Sequence, residues 1–174
     1  MTGGLATAMY EDHFGLRQAP FSLTPDTGFF FRNDAHVEAL QVLRVALDAG
    51  EGFIKVTGEV GTGKTLLCRL LLNSLDEQWV TAWVPNPYLD PDALRRAIAD
   101  ELRVALGPTP RQHTLVKKLQ ERLIELAASG KRVAVIIDEA QALSDESLEA
   151  LRLLSNLETE TRKLLHVVLF GQPE

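Results

Sequence analysis

Cysteine is almost absent from this sequence, and long apolar runs are missing altogether. Cys68 is the single cysteine among 174 residues, which excludes an intrachain disulfide and a zinc site built from cysteines and fits a reducing compartment. No apolar run reaches the roughly 20 residues of a membrane-spanning helix, and no signal-peptide pattern, internal repeat or low-complexity tract is found. Because Cys68 lies in an apolar segment, we interpret it as a packing residue.

An excess of positive charge is also missing. The 18 basic residues are outnumbered by 24 acidic ones, and the formal net charge is −6. This balance argues against a protein whose whole surface binds nucleic acid, although a local basic patch remains open. What the chain does have is 45% hydrophobic and 24% charged residues, as in a globular domain with a sizeable core.

The most informative segment is GEVGTGKT at residues 58–65, which satisfies the phosphate-loop pattern G-x-x-x-x-G-K-[ST]. Glycines permit turns in which successive amides face one anion, and a helix predicted to begin near Gly63 adds its positive dipole end. Lys64 is predicted to reach the β- and γ-phosphates of a nucleotide, and the Thr65 hydroxyl to bind Mg²⁺. The predicted nucleotide-binding residues are Gly58, Glu59, Val60, Gly61, Thr62, Gly63, Lys64, Thr65 and Leu66.

An ordinary glycine turn is the alternative explanation of the same eight residues. Against it, FIKVT at residues 53–57 predicts a buried strand before the loop, and the leucines of residues 66–75 predict a helix after it. Strand, glycine loop and helix in this order are the context that the motif requires.

A second informative segment is VAVIIDEA at residues 133–140. Its unbroken apolar run predicts a strand buried on both faces, and Asp138 and Glu139 follow at the end where ligands bind in open α/β sheets. Asp138 is predicted to hold Mg²⁺ through its water shell, and Glu139 to orient and deprotonate the attacking water. The alternative is two solvated carboxylates that cap the next helix.

Periodicity predicts the remaining elements. Strands are predicted over residues 53–57, 79–84, 133–137 and 164–170. Helices are predicted over residues 34–50, about 63–75, 91–106, 112–128 and 145 to about 157. Gln172 follows the fourth strand and is predicted to touch the γ-phosphate or the lytic water. We interpret His166 as a hydrogen-bonded core histidine, and His36 as a capping or surface residue rather than a metal ligand.

The first 31 residues read differently. Residues 1–8 have no periodicity and are predicted to be a disordered leader, with Met9 as the natural start. Irregular chain rich in aromatic anchors follows, and it serves either as a wall for an adenine base or as a cover for the core. Its aromatic residues are Phe14, Phe21, Phe29, Phe30 and Phe31.

Four segments together resemble the AAA+ ATPases, and more narrowly the ExeA/GspA and MshM group of type II secretion and MSHA-type pilus biogenesis. The segments span residues 10–26, 57–65, 137–141 and 153–174. The resemblance implies an α/β, three-layer P-loop NTPase fold with a mostly parallel central sheet, and ATP or ADP with Mg²⁺ as cofactors. It implies Lys64 and Thr65 as phosphate and magnesium residues, Asp138 and Glu139 as the Walker B pair, and Gln172 as the first sensor.

AAA+ proteins continue into a fifth strand, an arginine finger and a helical lid, whereas this sequence stops at Glu174. We therefore expect residues 9–174 to form a nucleotide-binding core that is incomplete at its C-terminus, with the first strand at an unpaired edge. Turnover of this chain is expected to be low, because an arginine finger contributes roughly 10³–10⁵ to the rate. Arg152 and Arg162 are interpreted as surface charges rather than as fingers.

Three functions remain open, and the first of them is the one that the resemblance implies. The first is an ATPase that assembles or energises an envelope machine from the cytoplasm, as a homo-oligomer that contacts inner-membrane secretion or pilus proteins. Peptidoglycan would be a partner only through a C-terminal extension. The second is a DNA-binding AAA+ regulator of the transposition or replication-initiation type, against which the acidic balance counts, so that nucleic acid is not the expected partner. The third is a nucleotide-binding switch with little turnover.

Overall fold

The structure is a computed structural model, and it describes residues 11–17, 34–107, 112–158 and 162–173. The predicted leader, the start at Met9 and most of the aromatic stretch lie outside the described residues. In chain order the elements are α1 (Asp34–Ala49), β1 (Phe53–Thr57), α2 (Lys64–Ser74), β2 (Trp79–Val84), α3 (Pro91–Glu101), α4 (Gln112–Ala128), β3 (Arg132–Ile137), a 3₁₀ turn (Ala140–Ala142), α5 (Asp145–Ser155) and β4 (His166–Gly171).

The four strands form one parallel sheet in the order β1-β4-β3-β2. The register pairs Thr57 with Gly171, Leu169 with Ile137, and Ile137 with Val84. The carboxyl ends of all four strands therefore meet at one edge of the sheet. Among the described residues β1 lies at the edge of the sheet, as predicted. The prediction that residues 53–57 are buried is wrong: each residue of β1 is exposed or half-buried, because one side of the strand has no neighbour in the sheet.

Helices cover both faces of the sheet, so the domain has three layers. Alternate residues of β3 show the division: Val133, Val135 and Ile137 pack with α3, α4 and α5, whereas Ala134 and Ile136 pack with α1 and α2. All five side chains are at most 1% exposed. The unbroken apolar run of β3 follows from burial on both faces, since each fully buried Val or Ile contributes about 1.5–3 kcal/mol.

Short-range capping sets several helix ends where the sequence places them. The Asp90 carboxylate accepts from the amides of Asp92 (2.9 Å) and Ala93 (2.8 Å), and Pro91 takes the first helical position of α3. Gly50, with φ 87°, follows the last residue of α1, and the Glu51 amide donates to Ala46 O (3.1 Å). These are the N-cap and C-cap arrangements that the local sequence predicts.

Several predicted boundaries differ from the structure by one or more residues, and two of these differences have a clear physical reason. Helix α3 ends at Glu101 and not near residue 106, because Arg103 adopts φ 56° and the Val104 amide donates to Ala99 O (2.8 Å). A left-handed residue that ends a helix is usually glycine, so an arginine at this position gave no sequence signal for the end of α3. The fourth strand begins at His166 and not at residue 164, since the Leu164 amide donates to Leu157 O (2.9 Å) before the ladder starts.

His166 and Cys68 have the packing roles predicted for them. His166 is 3% exposed, its Nδ1–H donates to Glu51 O (2.8 Å), and its ring meets that of Trp79 edge to face. Cys68 is fully buried on α2, and burial together with the charge of nearby Asp138 raises the pKa of its thiol to about 12. In the described part of the chain, none of the helices combines the length and the apolarity needed to cross a membrane.

Candidate nucleotide-binding site

Residues 58–63 form a closed loop between β1 and α2. The Gly58 amide donates to Gly171 O (3.2 Å), which ties the start of the loop to the end of β4. Within the loop, both the amide and the hydroxyl of Thr62 donate to Glu59 O, at 3.3 and 2.8 Å. The loop is thus held at its base and across its tip, where the Val60 side chain is 77% exposed.

Glycine is needed in this loop for two different reasons. Gly61 and Gly63 have φ of 80° and 83°, a left-handed conformation that other residues rarely adopt. Gly58 is needed for space, because a Cβ added there would lie 2.8 Å from the Thr62 hydroxyl oxygen. The loop backbone is therefore tight, as a turn in which successive amides can face one anion requires.

Lys64 opens α2 and turns back into the loop. Its ammonium group donates to Gly58 O (2.8 Å) and Glu59 O (2.9 Å). Gly63 is the N-cap of α2 and has no side chain to accept from the first helical amides, and Thr65 and Leu66 lie in the first turn. A cation and a positive helix end are thus placed beside a glycine loop, a combination that suits anion binding.

Asp138 and Glu139 follow β3 and have contrasting environments. Asp138 is 3% exposed, and its amide donates to Val84 O (3.1 Å), which continues the β2–β3 ladder by one residue. Its Oδ1 accepts from the Glu139 amide (3.0 Å). Glu139 adopts φ 51° and ψ 41°, a left-handed conformation unusual for a side chain with a Cβ, and its side chain is exposed. The backbone turn separates the two carboxylates, so that one is buried and the other faces solvent.

The Gln141 amide joins Glu139 to the residue that follows β4. Its Nε2 donates to Glu139 Oε2 (2.5 Å), and its Oε1 accepts from the Gln172 amide (3.1 Å). The side chain of Gln141 therefore lies between Glu139 and Gln172. The sequence analysis assigned roles to Glu139 and Gln172 but none to Gln141. The only sequence signal for a role of Gln141 was its position two residues after Glu139.

His36 contacts the loop, a contact that its interpretation as a capping or surface residue did not include. Its Nε2–H donates to Thr62 O (2.9 Å), and the same nitrogen lies 2.8 Å from the position that a Cβ on Gly63 would take. The ring is half-buried in the first turn of α1. His36 and Thr62 are 26 residues apart in the sequence and meet only because folding places α1 beside the loop. The contact could therefore not be predicted from local sequence patterns.

A family model described as an AAA domain matches residues 47–174, a range that contains the loop, Asp138, Glu139 and Gln172. The chain belongs to the AAA domain family. The General secretion pathway protein A of Aeromonas hydrophila is 43% identical to it over 166 residues, which are 95% of this chain and 30% of that protein. This AAA domain therefore spans less than a third of the length of that relative.

Solved structures show the same fold at low sequence identity. Cdc6p from Pyrobaculum aerophilum superposes with a TM-score of 0.65 at 19% identity, over 88% of this chain and 41% of that one. The Aeropyrum pernix ORC2 protein follows with 0.58 at 17% identity, over 88% and 43%. These likenesses confirm the predicted α/β P-loop NTPase fold.

The donor set of the AAA domain fits a nucleotide-bound magnesium ion. In the described part of the chain no group of three or more His, Cys, Asp or Glu side chains is arranged to hold a metal. Mg²⁺ in nucleotide sites needs fewer, because it takes one or two protein oxygens and fills its shell with phosphates and waters. The Thr65 hydroxyl and the Asp138 carboxylate are oxygens of this kind. Ile136, two residues before Asp138, belongs to the same buried cluster as Leu67 and Cys68 of α2, the helix that carries Thr65.

Two clefts lined by described residues lie away from the phosphate loop. One of about 550 Å³ is at the amino ends of the strands, where Lys131 and Arg132 line it. Another of about 660 Å³ runs between Phe53 at the β1 edge and α5. Neither is lined by the loop. The features that suit a nucleotide are the loop geometry and the residues at the carboxyl ends of the strands.

Proposed function

We propose that this AAA domain binds ATP and ADP with Mg²⁺ through residues 58–66 and hydrolyses ATP. The observation that carries the proposal is the position of Lys64 within a tight glycine loop, at the sheet edge where Asp138 and Glu139 emerge. Phosphate oxygens would replace the carbonyls of Gly58 and Glu59 as acceptors for the Lys64 ammonium, while loop and helix amides hold the remaining charge.

Each of the other site residues takes a role that suits its surroundings. The Thr65 hydroxyl and the buried Asp138 would hold Mg²⁺, which when bound supplies positive charge to the phosphate oxygens. Exposed Glu139 would accept a proton from the attacking water, and the Gln172 side chain would contact the γ-phosphate or that water. The division into a leader at residues 1–8 and a core at residues 9–174 is part of the same proposal.

Hydrolysis by this chain alone would be slow. The Arg152 guanidinium donates twice to Glu149, at 2.7 Å each, and Arg162 Nη2 donates to Ala127 O (2.6 Å). Both arginines are thus engaged within their own chain, as surface residues are. An arginine from a neighbouring molecule would add roughly 10³–10⁵ to the rate, which makes a homo-oligomer the efficient form.

The cellular process in the proposal comes from the secretion relative. Identity of 43% over almost the whole of this chain supports a role in general secretion, in which ATP turnover drives assembly of a type II secretion or MSHA-like pilus machine. The partners would be further copies of the protein and inner-membrane assembly proteins, contacted from the cytoplasm. Peptidoglycan would be reached only through sequence beyond this domain.

Nucleotide binding is tested with a fluorescent ATP analogue and Mg²⁺, using the wild-type chain, Lys64→Ala and the exposed-lysine control Lys118→Ala. We expect Lys64→Ala to lose at least about tenfold in affinity, because a charge-assisted hydrogen bond contributes about 1.5–3 kcal/mol, and Lys118→Ala to match wild type. Equal affinity of all three proteins would contradict the proposal.

Hydrolysis and DNA binding are tested separately. Glu139→Gln should bind nucleotide as wild type does and hydrolyse it roughly 10²–10⁴ times more slowly, whereas Glu38→Gln, an exposed control on α1, should retain the wild-type rate. An unaltered rate in Glu139→Gln would remove this residue as the base. Nucleotide-dependent binding of duplex DNA, lost in Lys64→Ala, would instead favour the DNA-binding regulator.

A further inference from the structure

Gln141 bridges two strand ends with a single amide group. It lies in the 3₁₀ turn after β3, and its two polar atoms contact Glu139 Oε2 (2.5 Å) and the Gln172 amide (3.1 Å). The partners determine which way the amide points, because a carboxylate only accepts and a backbone N–H only donates. The contact at β4 is close, since a Cβ on Gly171 would lie 3.2 Å from Gln141 Oε1.

We propose that Gln141 is a positioning residue for hydrolysis: it holds the Glu139 carboxylate in one orientation and links that orientation to the main chain of Gln172. This inference rests on the function proposed above and assigns a role to a residue outside the predicted site. The structure gives Gln141 no contact with the phosphate loop among its hydrogen bonds, so its effect on nucleotide is exerted through Glu139 and Gln172.

Glu139 needs such support because little else restrains it. Its side chain is exposed, and an exposed glutamate samples many rotamers, whose loss costs free energy whenever one is required. The bond from Gln141 engages Oε2 and leaves Oε1 able to accept a proton from water. A neutral amide is suited to this task, because a cation in the same place would orient the carboxylate but lower its basicity.

The link to β4 couples two halves of the site. Gln172 directly follows β4, and Gly171 O accepts from the Gly58 amide at the base of the phosphate loop. A displacement of the Gln172 main chain by about 1 Å would carry the 3.1 Å contact beyond hydrogen-bond range. The orientation of Glu139 therefore depends on the position of the strand end that anchors the loop.

Two substitutions separate the two hydrogen bonds. Gln141→Leu keeps a similar volume and removes both. Gln141→Glu keeps an acceptor for the Gln172 amide but places a carboxylate against Glu139. Gln41→Leu, at an exposed position of α1, is the matched control.

The first readout needs no nucleotide. Amide hydrogen exchange of Gln172, followed by NMR in the isolated chain, should accelerate at least fivefold in Gln141→Leu and stay near wild type in Gln141→Glu and Gln41→Leu. Unchanged protection of the Gln172 amide in Gln141→Leu would overturn the bridge.

The second readout is steady-state hydrolysis by the complete polypeptide to which these residues belong. We expect both Gln141 variants to bind the fluorescent nucleotide within about twofold of wild type and to lose about tenfold or more in kcat, as fits a lost hydrogen bond to a charged group. A loss of stability alone would lower binding and kcat together, so a fall in kcat at nearly unchanged affinity is the result specific to a positioning role.

The outcomes distinguish the two proposals. A wild-type protein that fails to bind nucleotide, or a Lys64→Ala variant that binds normally, would refute the proposed function. Normal binding and turnover in wild type, together with a kcat in Gln141→Leu that is equal to or higher than wild type, would overturn the role of Gln141 alone. A parallel loss of affinity and kcat in Gln141→Leu would also overturn it.

Discussion

The contact between His36 and Gly63 makes the cost of one methyl group in the phosphate loop calculable. Gly63→Ala introduces a Cβ at φ 83°, 2.8 Å from His36 Nε2. Gly61→Ala introduces the same group at φ 80° with no atom within 4 Å. The two substitutions therefore share a backbone cost and differ in a steric one.

The backbone cost is about 1–2 kcal/mol for an L-residue in the left-handed region. At Gly63 the imidazole must also move, which breaks its 2.9 Å hydrogen bond to Thr62 O. Losing that bond adds about 0.5–1.5 kcal/mol. We expect Gly61→Ala to lower the free energy of unfolding by about 1–2 kcal/mol and Gly63→Ala by about 2–3 kcal/mol.

The assay is urea unfolding of the nucleotide-free chain, in a double-mutant cycle of Gly63→Ala with His36→Ala. Without the imidazole, Gly63→Ala should cost no more than Gly61→Ala, which corresponds to a coupling of about 1 kcal/mol between His36 and Gly63. Gly107→Ala is the control, since its Cβ meets nothing within 4 Å and its φ lies outside the left-handed region.

Additivity in this cycle would refute the reasoning. If the cost of Gly63→Ala is the same with and without His36, the imidazole does not restrict the loop, and glycine at position 63 is required by backbone conformation alone.

Two further predictions concern buried titratable groups. Burial, partly offset by the bond to Glu51 O, lowers the pKa of His166 from the usual 6.5, so the unfolded chain takes up the proton first as pH falls. The contribution of neutral His166 to the free energy of unfolding is therefore fully present above pH 6.5 and declines below it. Urea unfolding at pH 7.5 and 5.5 should show this loss in wild type and in the exposed control His113→Gln, but a smaller loss in His166→Gln. An equal loss in all three proteins would show that His166 is not the group responsible. The pKa of Cys68 is raised to about 12, so iodoacetamide at pH 8 should label the native chain at least roughly a hundredfold more slowly than the urea-unfolded chain, and equal rates would show that the thiol is not buried.

The sequence alone predicts the elements whose signals are short-range. The strand before the loop and the strand at residues 79–84 have the predicted bounds, because β-branched and aromatic runs between turn residues need no distant partner to be recognised. The start of α3 is set by Asp90 and Pro91, whose contacts lie within three residues. Local signals of this kind failed where an unusual residue closed a helix, as Arg103 does.

The candidate site divides in the same way. Its loop and its two carboxylates are consecutive residues with a recognisable pattern, so their identities follow from the sequence. The left-handed turn at Glu139 could not be predicted from the sequence, because no glycine occupies that position. The contacts from His36 to Thr62 and from Gln141 to Gln172 could not be predicted either, because the partners are 26 and 31 residues apart in the sequence.

The amino-acid sequence thus determined the fold class, the phosphate loop and the residue types of the site, because periodicity, capping and turn chemistry act over a few residues. The tertiary structure decided which of these residues meet. Parallel pairing in the order β1-β4-β3-β2 aligns the carboxyl ends of the strands, and this alignment brings Glu139, Gln141 and Gln172 into contact. Packing of α1 beside the loop brings His36 to Gly63. These long-range contacts depend on the strand order and on the packing of helices against the sheet, which are properties of the whole fold rather than of any short segment.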